Sequence, residues 1–107
     1  MTEASQFVLD NLQSRGWFAP EPGYFGDNAA AYGAQDEALG ELAKARGGIG
    51  GYKIAYNSGA QLAALGQSQP GAAYVCAAQI VHTGAKLAAA DYDNLMIEPE
   101  IGAVLGA

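Results

Sequence analysis

The stretch IGGYKIAY, residues Ile49 to Tyr56, is where the hydrophobic pattern of the chain changes its period. Every second residue in its later part is large and apolar or aromatic: Tyr52, Ile54 and Tyr56. A period of two predicts a β-strand, because successive side chains of a strand point to opposite faces. The opposite face carries Lys53 between small residues. The stretch therefore predicts a strand with one charged side chain on a face whose other side chains are small.

Two helices are predicted before this strand. Residues 4–15 have the apolar spacing of a short amphipathic helix, which Gly16 would end. A longer helix would begin after Asp27 or Asn28, either of which can cap it, and run to about Arg46 before two glycines. Residues 17–26, between the helices, are rich in proline, glycine and aromatic residues and predict a loop.

Shorter elements are predicted after the strand. Ser58 can cap a helix that runs to Leu65, and strand-like segments follow over residues 72–81 and 96–105, separated by a turn near residues 91–94. The expected fold class is α+β. Residues 1–48 would be mainly helical, and residues 49–107 would form several strands with one short helix.

Composition limits the function classes. The chain has 107 residues, enough for a single domain, and eleven acidic against five basic residues give a net charge of −6. This charge disfavours nucleic acid or an anionic membrane as a partner. No secretory signal pattern or membrane-length apolar run is present, and the single cysteine, Cys76, lies in an apolar run where we expect it to be buried. These features predict a cytoplasmic protein.

The last predicted strand contains two carboxylates, Glu98 and Glu100, in an otherwise apolar segment. Residues two apart on a strand share a face and lie roughly 6.5–7 Å apart, so the two glutamates would project side by side with Ile97 and Ile101 packed behind them. Such a pair requires a cation. Oxygen ligands alone suit Mg²⁺ or Mn²⁺ better than zinc. The alternative is that both glutamates form the solvated face of a half-buried strand.

Three passages follow a recognisable order: Gly51-Tyr52-Lys53-Ile54, Leu65-Gly66 followed by Pro70, and the segment EPEIGAVL from Glu98 to Leu105. The first resembles a strand with the order glycine, bulky residue, lysine and aliphatic residue. The second resembles a passage in which leucine and glycine are followed by a short polar spacer and a proline. The third resembles a strand with the pattern Glu-x-Glu-Ile-Ala-Phe-Val-Leu. Together they are similar to the N-terminal part of the fumarylacetoacetate hydrolase superfamily, in its 2-hydroxypentadienoate hydratase and oxalocrotonate decarboxylase branch. The helix containing Tyr32 and Gln35 also resembles the second helix of that family.

The resemblance implies a site and a reaction. Glu98 and Glu100 match the glutamates that bind the catalytic metal of the family, so Mg²⁺ or Mn²⁺ is the implied cofactor. Lys53 matches the strand lysine and is the implied catalytic residue, placed to complement developing negative charge or the carboxylate of the substrate. The implied substrate is a small 2-oxo or 2-hydroxy dienoic acid, whose enolate the metal would stabilise during hydration, decarboxylation or C–C cleavage.

The chain also departs from the family pattern. Family members are much longer, and their later part supplies a third carboxylate ligand, so the chain would cover only the N-terminal portion of the fold. Ala55, Asn57 and the Gly71-Ala72-Ala73 passage replace residues typical of the family.

Three hypotheses remain open. The first is a hydratase-like lyase that needs a further chain segment, supplied in a homo-oligomer or by a complementing chain. The second is a non-catalytic homologue that acts as an assembly or interaction module. The third is a C–C hydrolase or decarboxylase of the same superfamily.

Overall fold

A computed structural model describes residues 1–15 and 19–106. Their regular elements, in chain order, are α1 (Glu3–Ser14), α2 (Asn28–Ala45), β1 (Ile49–Ala55), α3 (Gly59–Leu65) and β2 (Gly71–Cys76), with short 3-10 turns at Ala77–Gln79 and Ala89–Asp91. The predicted α+β class is confirmed. The described residues contain two strands, which form one antiparallel sheet, rather than the several strands expected.

The helices begin and end where the sequence predicts. The Asp27 carboxylate accepts a hydrogen bond from the Ala30 N–H at 2.9 Å, and the Ser58 hydroxyl accepts one from the Gln61 N–H at 3.2 Å, so both residues are N-caps. Gly66 ends α3 in the left-handed conformation, with φ of 64°. The predicted loop is confirmed over residues 19–26, whereas Trp17, Phe18 and the predicted helix end at Gly16 lie outside the described residues.

The sheet pairs Tyr52 with Tyr74, Lys53 with Ala73 and Ile54 with Ala72. Both backbone polar groups of Ala72 are bonded to side chains of α2: its N–H donates to the Tyr32 hydroxyl at 3.0 Å, and its carbonyl accepts from Gln35 Nε2 at 2.9 Å. Helix α2 therefore lies along the edge of β2 that faces away from β1.

A small core joins the helices to the sheet. It consists of five buried residues from α1, α2 and the end of β2: Leu9, Ala38, Leu42, Ala43 and Cys76. Cys76 is 2 % exposed, which confirms the predicted burial of the thiol. None of the helices in the described ranges combines the length and the apolar character needed to cross a bilayer.

The predictions for the last third of the chain need correction. The strand expected over residues 72–81 ends at Cys76, and the strand expected over residues 96–105 does not form. Every described residue from 78 to 106 is exposed; Ile97, expected to be packed, is 85 % exposed and Ile101 is fully exposed. Alternation alone does not make a strand, because its backbone groups need a neighbouring strand to pair with. Residues 92–106 are called the tail below.

Candidate functional site

The structure brings together all three residues that the sequence singled out. Lys53 Nζ lies 3.4 Å from Glu98 Oε2 and donates a shorter hydrogen bond to Glu100 Oε1. More than forty residues separate Lys53 from either glutamate along the chain. The cation that the acid pair requires is therefore supplied by the lysine of β1.

Local structure explains how these side chains meet. Lys53 stands on the face of β1 that carries Gly51 and Ala55, and its cross-strand neighbour is Ala73. These small neighbours leave space around the lysine stem. Pro99 separates the two glutamates and restricts the backbone between them to extended conformations. Both carboxylates then reach one ammonium group.

The site is open to water. The side chains of Lys53, Glu98 and Glu100 are 43 %, 63 % and 50 % exposed. Solvent and salt screen charges at such positions, so these ion pairs are weak and easily exchanged for others. The position of the tail is thus set by contacts that can break without exposing any core residue.

The glutamates also fix the charge state of the lysine. The hydrogen bond to Glu100 is the largest influence and raises the pKa of Lys53 above its ordinary value of 10.5, with partial desolvation acting in the opposite direction. Lys53 is therefore an ammonium ion near neutral pH. In this state it can bind and orient an anion but cannot act as a general base.

The donor set suits a hard divalent cation. Two carboxylates that converge on one ammonium nitrogen also converge on the space that a metal ion would need, and Mg²⁺ and Mn²⁺ prefer oxygen ligands. An ammonium group and a metal ion cannot share the position between the two carboxylates, so Lys53 would have to withdraw for a metal to bind there. Among residues 1–15 and 19–106, no cluster of three or more His, Cys, Asp or Glu side chains is placed to hold a metal. Within these ranges, Glu98 and Glu100 would supply two carboxylate ligands at most.

A second ion pair joins the start of the tail to the end of α1. Arg15 Nη2 lies 2.9 Å from Asp93 Oδ1, and Arg15 Nε donates to Asp93 Oδ2 at 3.1 Å. Nothing in the sequence signals this contact, because the two residues are far apart in the chain and neither belongs to a motif. The two side chains are 49 % and 66 % exposed, so solvent weakens this pair as it weakens those of Lys53.

A pocket was also missed from the sequence. A partly open apolar cavity of about 480 Å³ lies where α1, α2 and β2 meet, lined by Val8, Asn11, Leu12, Phe25, Ala31, Gln35, Leu39 and Ala73. Two of its lining residues, Val8 and Leu12, belong to the apolar spacing that predicts α1, but that spacing does not indicate a cavity. No part of the lysine and glutamate site lines this cavity.

Comparisons of the chain with protein-family models, with curated proteins and with solved structures found no match.

Proposed function

We propose that the chain provides part of the metal site of a hydratase-like lyase that acts on small 2-oxo or 2-hydroxy dienoic acids. One observation supports this proposal most directly: Lys53, Glu98 and Glu100 converge in space. The resemblance to the fumarylacetoacetate hydrolase superfamily assigns these same three residues to one site. Their convergence does not depend on adjacent positions in the sequence, so it is an independent point in favour of the proposal.

Each residue has a role in this proposal. Glu98 and Glu100 hold the divalent cation through carboxylate oxygens. When bound, Mg²⁺ or Mn²⁺ supplies positive charge that favours the enolate form of a 2-oxo acid. Lys53, released from the glutamates, binds the substrate carboxylate and keeps it oriented. In this role Lys53 acts as a cation, so a proton acceptor for the reaction has to come from another group.

The site needs further residues. Two exposed carboxylates bind Mg²⁺ weakly, since this ion favours a full octahedral set of oxygen ligands and gives up its water reluctantly. A third ligand and a cover that excludes water would come from another chain segment, in a homo-oligomer or from a complementing chain. A cytoplasmic setting, in which Cys76 stays reduced, belongs to the same proposal.

Calorimetric titration of oxalate, a mimic of the pyruvate enolate, in the presence and absence of Mg²⁺ tests this proposal. We expect metal-dependent binding to the unaltered protein and its loss in Glu98→Gln and in Glu100→Gln, because each substitution removes a charged ligand. Circular dichroism should stay unchanged, as both side chains are exposed.

Glu41→Gln is the matched control. Glu41 is also an exposed carboxylate held by a lysine, with Lys44 Nζ at 2.5 Å, but it lies on α2. Its loss should leave oxalate binding as it was. Equal affinity in all four proteins, or no metal-dependent binding in the unaltered protein, would contradict the proposal.

A second candidate function is an assembly or interaction module without catalysis. The exposed apolar residues of β1 and the tail favour it, because monomeric proteins rarely leave such surfaces in water. Partner binding without any metal-dependent binding of oxalate would distinguish this candidate. A C–C hydrolase or decarboxylase of the same superfamily would use the same metal site. Analysis of the reaction products would distinguish either activity from that of a hydratase.

A further inference from the structure

The apolar cavity and Lys53 lie on the same face of the sheet. Ala73, which lines the cavity, is the cross-strand partner of Lys53. Side chains of such partners point to the same face, with Cβ atoms about 4.5–5.5 Å apart. At this register β2 contributes only a methyl group, so no larger side chain of the strand separates the lysine from the cavity.

The walls of the cavity favour an apolar guest. They are aliphatic or aromatic except for two amides, and no charged side chain of the described residues lines them. Both amides are bonded to backbone carbonyls: Asn11 Nδ2 donates to Phe7 at 2.8 Å, and Gln35 Nε2 donates to Ala72 at 2.9 Å. A charged group buried there would find no partner of opposite charge among these walls. The cavity therefore suits hydrocarbon.

Small side chains explain why the cavity exists. Helix α2 lines it with Ala31, Gln35 and Leu39, which lie four residues apart on one stripe, while the adjoining stripe with Ala38 is buried in the core. Ala31 and Ala73 fill little of the space between α2 and the sheet. Close-packed interiors seldom leave voids of this size. The volume of about 480 Å³ falls within the range of about 300–1,000 Å³ that is typical of ligand pockets.

The tail shows which chemical group Lys53 binds. The ammonium group contacts two carboxylates, those of Glu98 and Glu100. The neighbouring Ile97 and Ile101 stay exposed, so the tail binds the lysine without placing these side chains in the cavity. A carboxylate-binding cation and an apolar cavity thus lie side by side, and the tail uses only the cation.

We propose that the cavity and Lys53 together bind an amphipathic monocarboxylate, with its apolar chain in the cavity and its carboxylate on the lysine in place of Glu98 and Glu100. A molecule of this class uses both features at once. The binding shares Lys53 with the proposed function but needs no metal. In the lyase, and there resting on the proposed function, the cavity would receive the apolar end of the 2-oxo acid.

Chain length should govern the affinity more than charge does. Each methylene group removed from water strengthens binding by up to about fourfold. An exposed ion pair contributes no more than about fivefold in total. The glutamates of the tail compete for the lysine, so their removal should strengthen the binding of an added carboxylate.

Three small ligands test the cavity and the lysine separately. Hexanoate is the probe, acetate has the same charge without the chain, and 1-hexanol has the chain without the charge. Titrations without metal, followed by the amide chemical shifts in NMR spectra, give the affinities. We expect hexanoate to bind at least about tenfold more tightly than acetate and about two- to fivefold more tightly than 1-hexanol. The shift changes should include Leu12 and Leu39, which line the cavity.

Three variants locate the binding on the protein. Lys53→Met removes the charge but keeps an unbranched side chain, so hexanoate should bind no better than 1-hexanol. Ala31→Leu fills part of the cavity with a good helix former and should weaken both ligands by at least about fivefold. Lys44→Met replaces an exposed lysine elsewhere on α2 and is the control, which should change neither affinity. Circular dichroism checks that each variant folds, and the comparison of the three ligands needs no variant.

The double variant Glu98→Gln/Glu100→Gln separates this inference from the metal proposal. It frees Lys53 and should bind hexanoate about two- to fivefold more tightly, with the affinity for 1-hexanol unchanged. The same substitutions are expected to abolish metal-dependent binding of oxalate. The two proposals therefore predict opposite changes, and either can fail without the other.

Four results would overturn the inference. They are no binding of hexanoate to the unaltered protein, equal affinities for hexanoate and acetate, equal affinities for hexanoate and 1-hexanol, and a folded Ala31→Leu variant that binds as before. The first is expected if the tail or a second copy of the chain fills the cavity in solution.

Discussion

Gly50 lies at a register irregularity where β1 passes over the turn that follows β2. A Cβ atom at this position would stand 2.7 Å from Ala77 Cα and 2.7 Å from Ile80 Cδ1. Gly50→Ala should lower the free energy of unfolding by about 1–3 kcal/mol, because the neighbouring backbone has to shift. Urea denaturation measures this. Gly51→Ala, whose Cβ would meet its nearest atom at 3.9 Å, is the control and should cost clearly less.

The carboxyl group of Glu37 makes the stability of the protein depend on pH. Hydrogen bonds from the Ser5 hydroxyl, at 2.5 Å, and then from the Thr2 N–H, at 2.9 Å, hold the pKa of this carboxyl below its ordinary value of 4.5. A lowered pKa contributes stability above pH 4.5, and this contribution is lost as the pH falls through the lowered value.

Glu37→Gln should therefore be less stable than the unaltered protein near neutral pH, and the difference should shrink below pH 4.5. Thermal unfolding across this range measures it. Glu21→Gln, which removes an exposed carboxylate in the loop before α2, is the control for the loss of one negative charge. A constant difference between Glu37→Gln and the unaltered protein at every pH would contradict the assignment.

Local signals at single residues were predictable. Asp27, Ser58 and Gly66 act within one turn of the chain, so sequence alone gives their roles as caps. Contacts between distant residues were not. The Ser5 and Glu37 hydrogen bond joins two helices across 32 residues and has no sequence signature. Lys53, Glu98 and Glu100 could be grouped only through the family resemblance.

At the scale of elements, side chains of α2 bond to the edge of β2 where a third strand could otherwise pair. Tyr32→Phe removes the acceptor of the Ala72 N–H and should lower the free energy of unfolding by about 1 kcal/mol. Chemical denaturation measures the change. Tyr56→Phe is the control, since the Tyr56 hydroxyl has no hydrogen-bond partner among the described residues, and it should have little effect. Equal losses in both variants would show that the bond to Ala72 contributes nothing.

The tail shows why one element was predicted wrongly. Glu98 and Glu100 alternate with Ile97, Pro99 and Ile101, yet β1 forms a strand and the tail does not. The difference comes from pairing and not from either segment's own sequence. β1 pairs with β2, whereas the tail pairs with no strand in the described residues. Period two identifies a segment that can become a strand, and pairing decides whether it does.

For the whole molecule, stability rests on the part before residue 78. The buried core joins α1 and α2 to a single residue of β2, whereas the later residues that the structure describes are all exposed. The overall class was predictable, since it follows from helix caps and a change of period. The uneven distribution of the core was not, because burial depends on which faces meet in three dimensions.

The position of Cys76 in this core makes the reactivity of its thiol depend on opening of the fold. It is the only cysteine of the chain, and it closes the core at the point where the sheet meets the helices. A reagent that alkylates thiols can reach it only when that junction opens. The rate of its alkylation therefore reports how often the sheet separates from the helices, without any label having to be introduced.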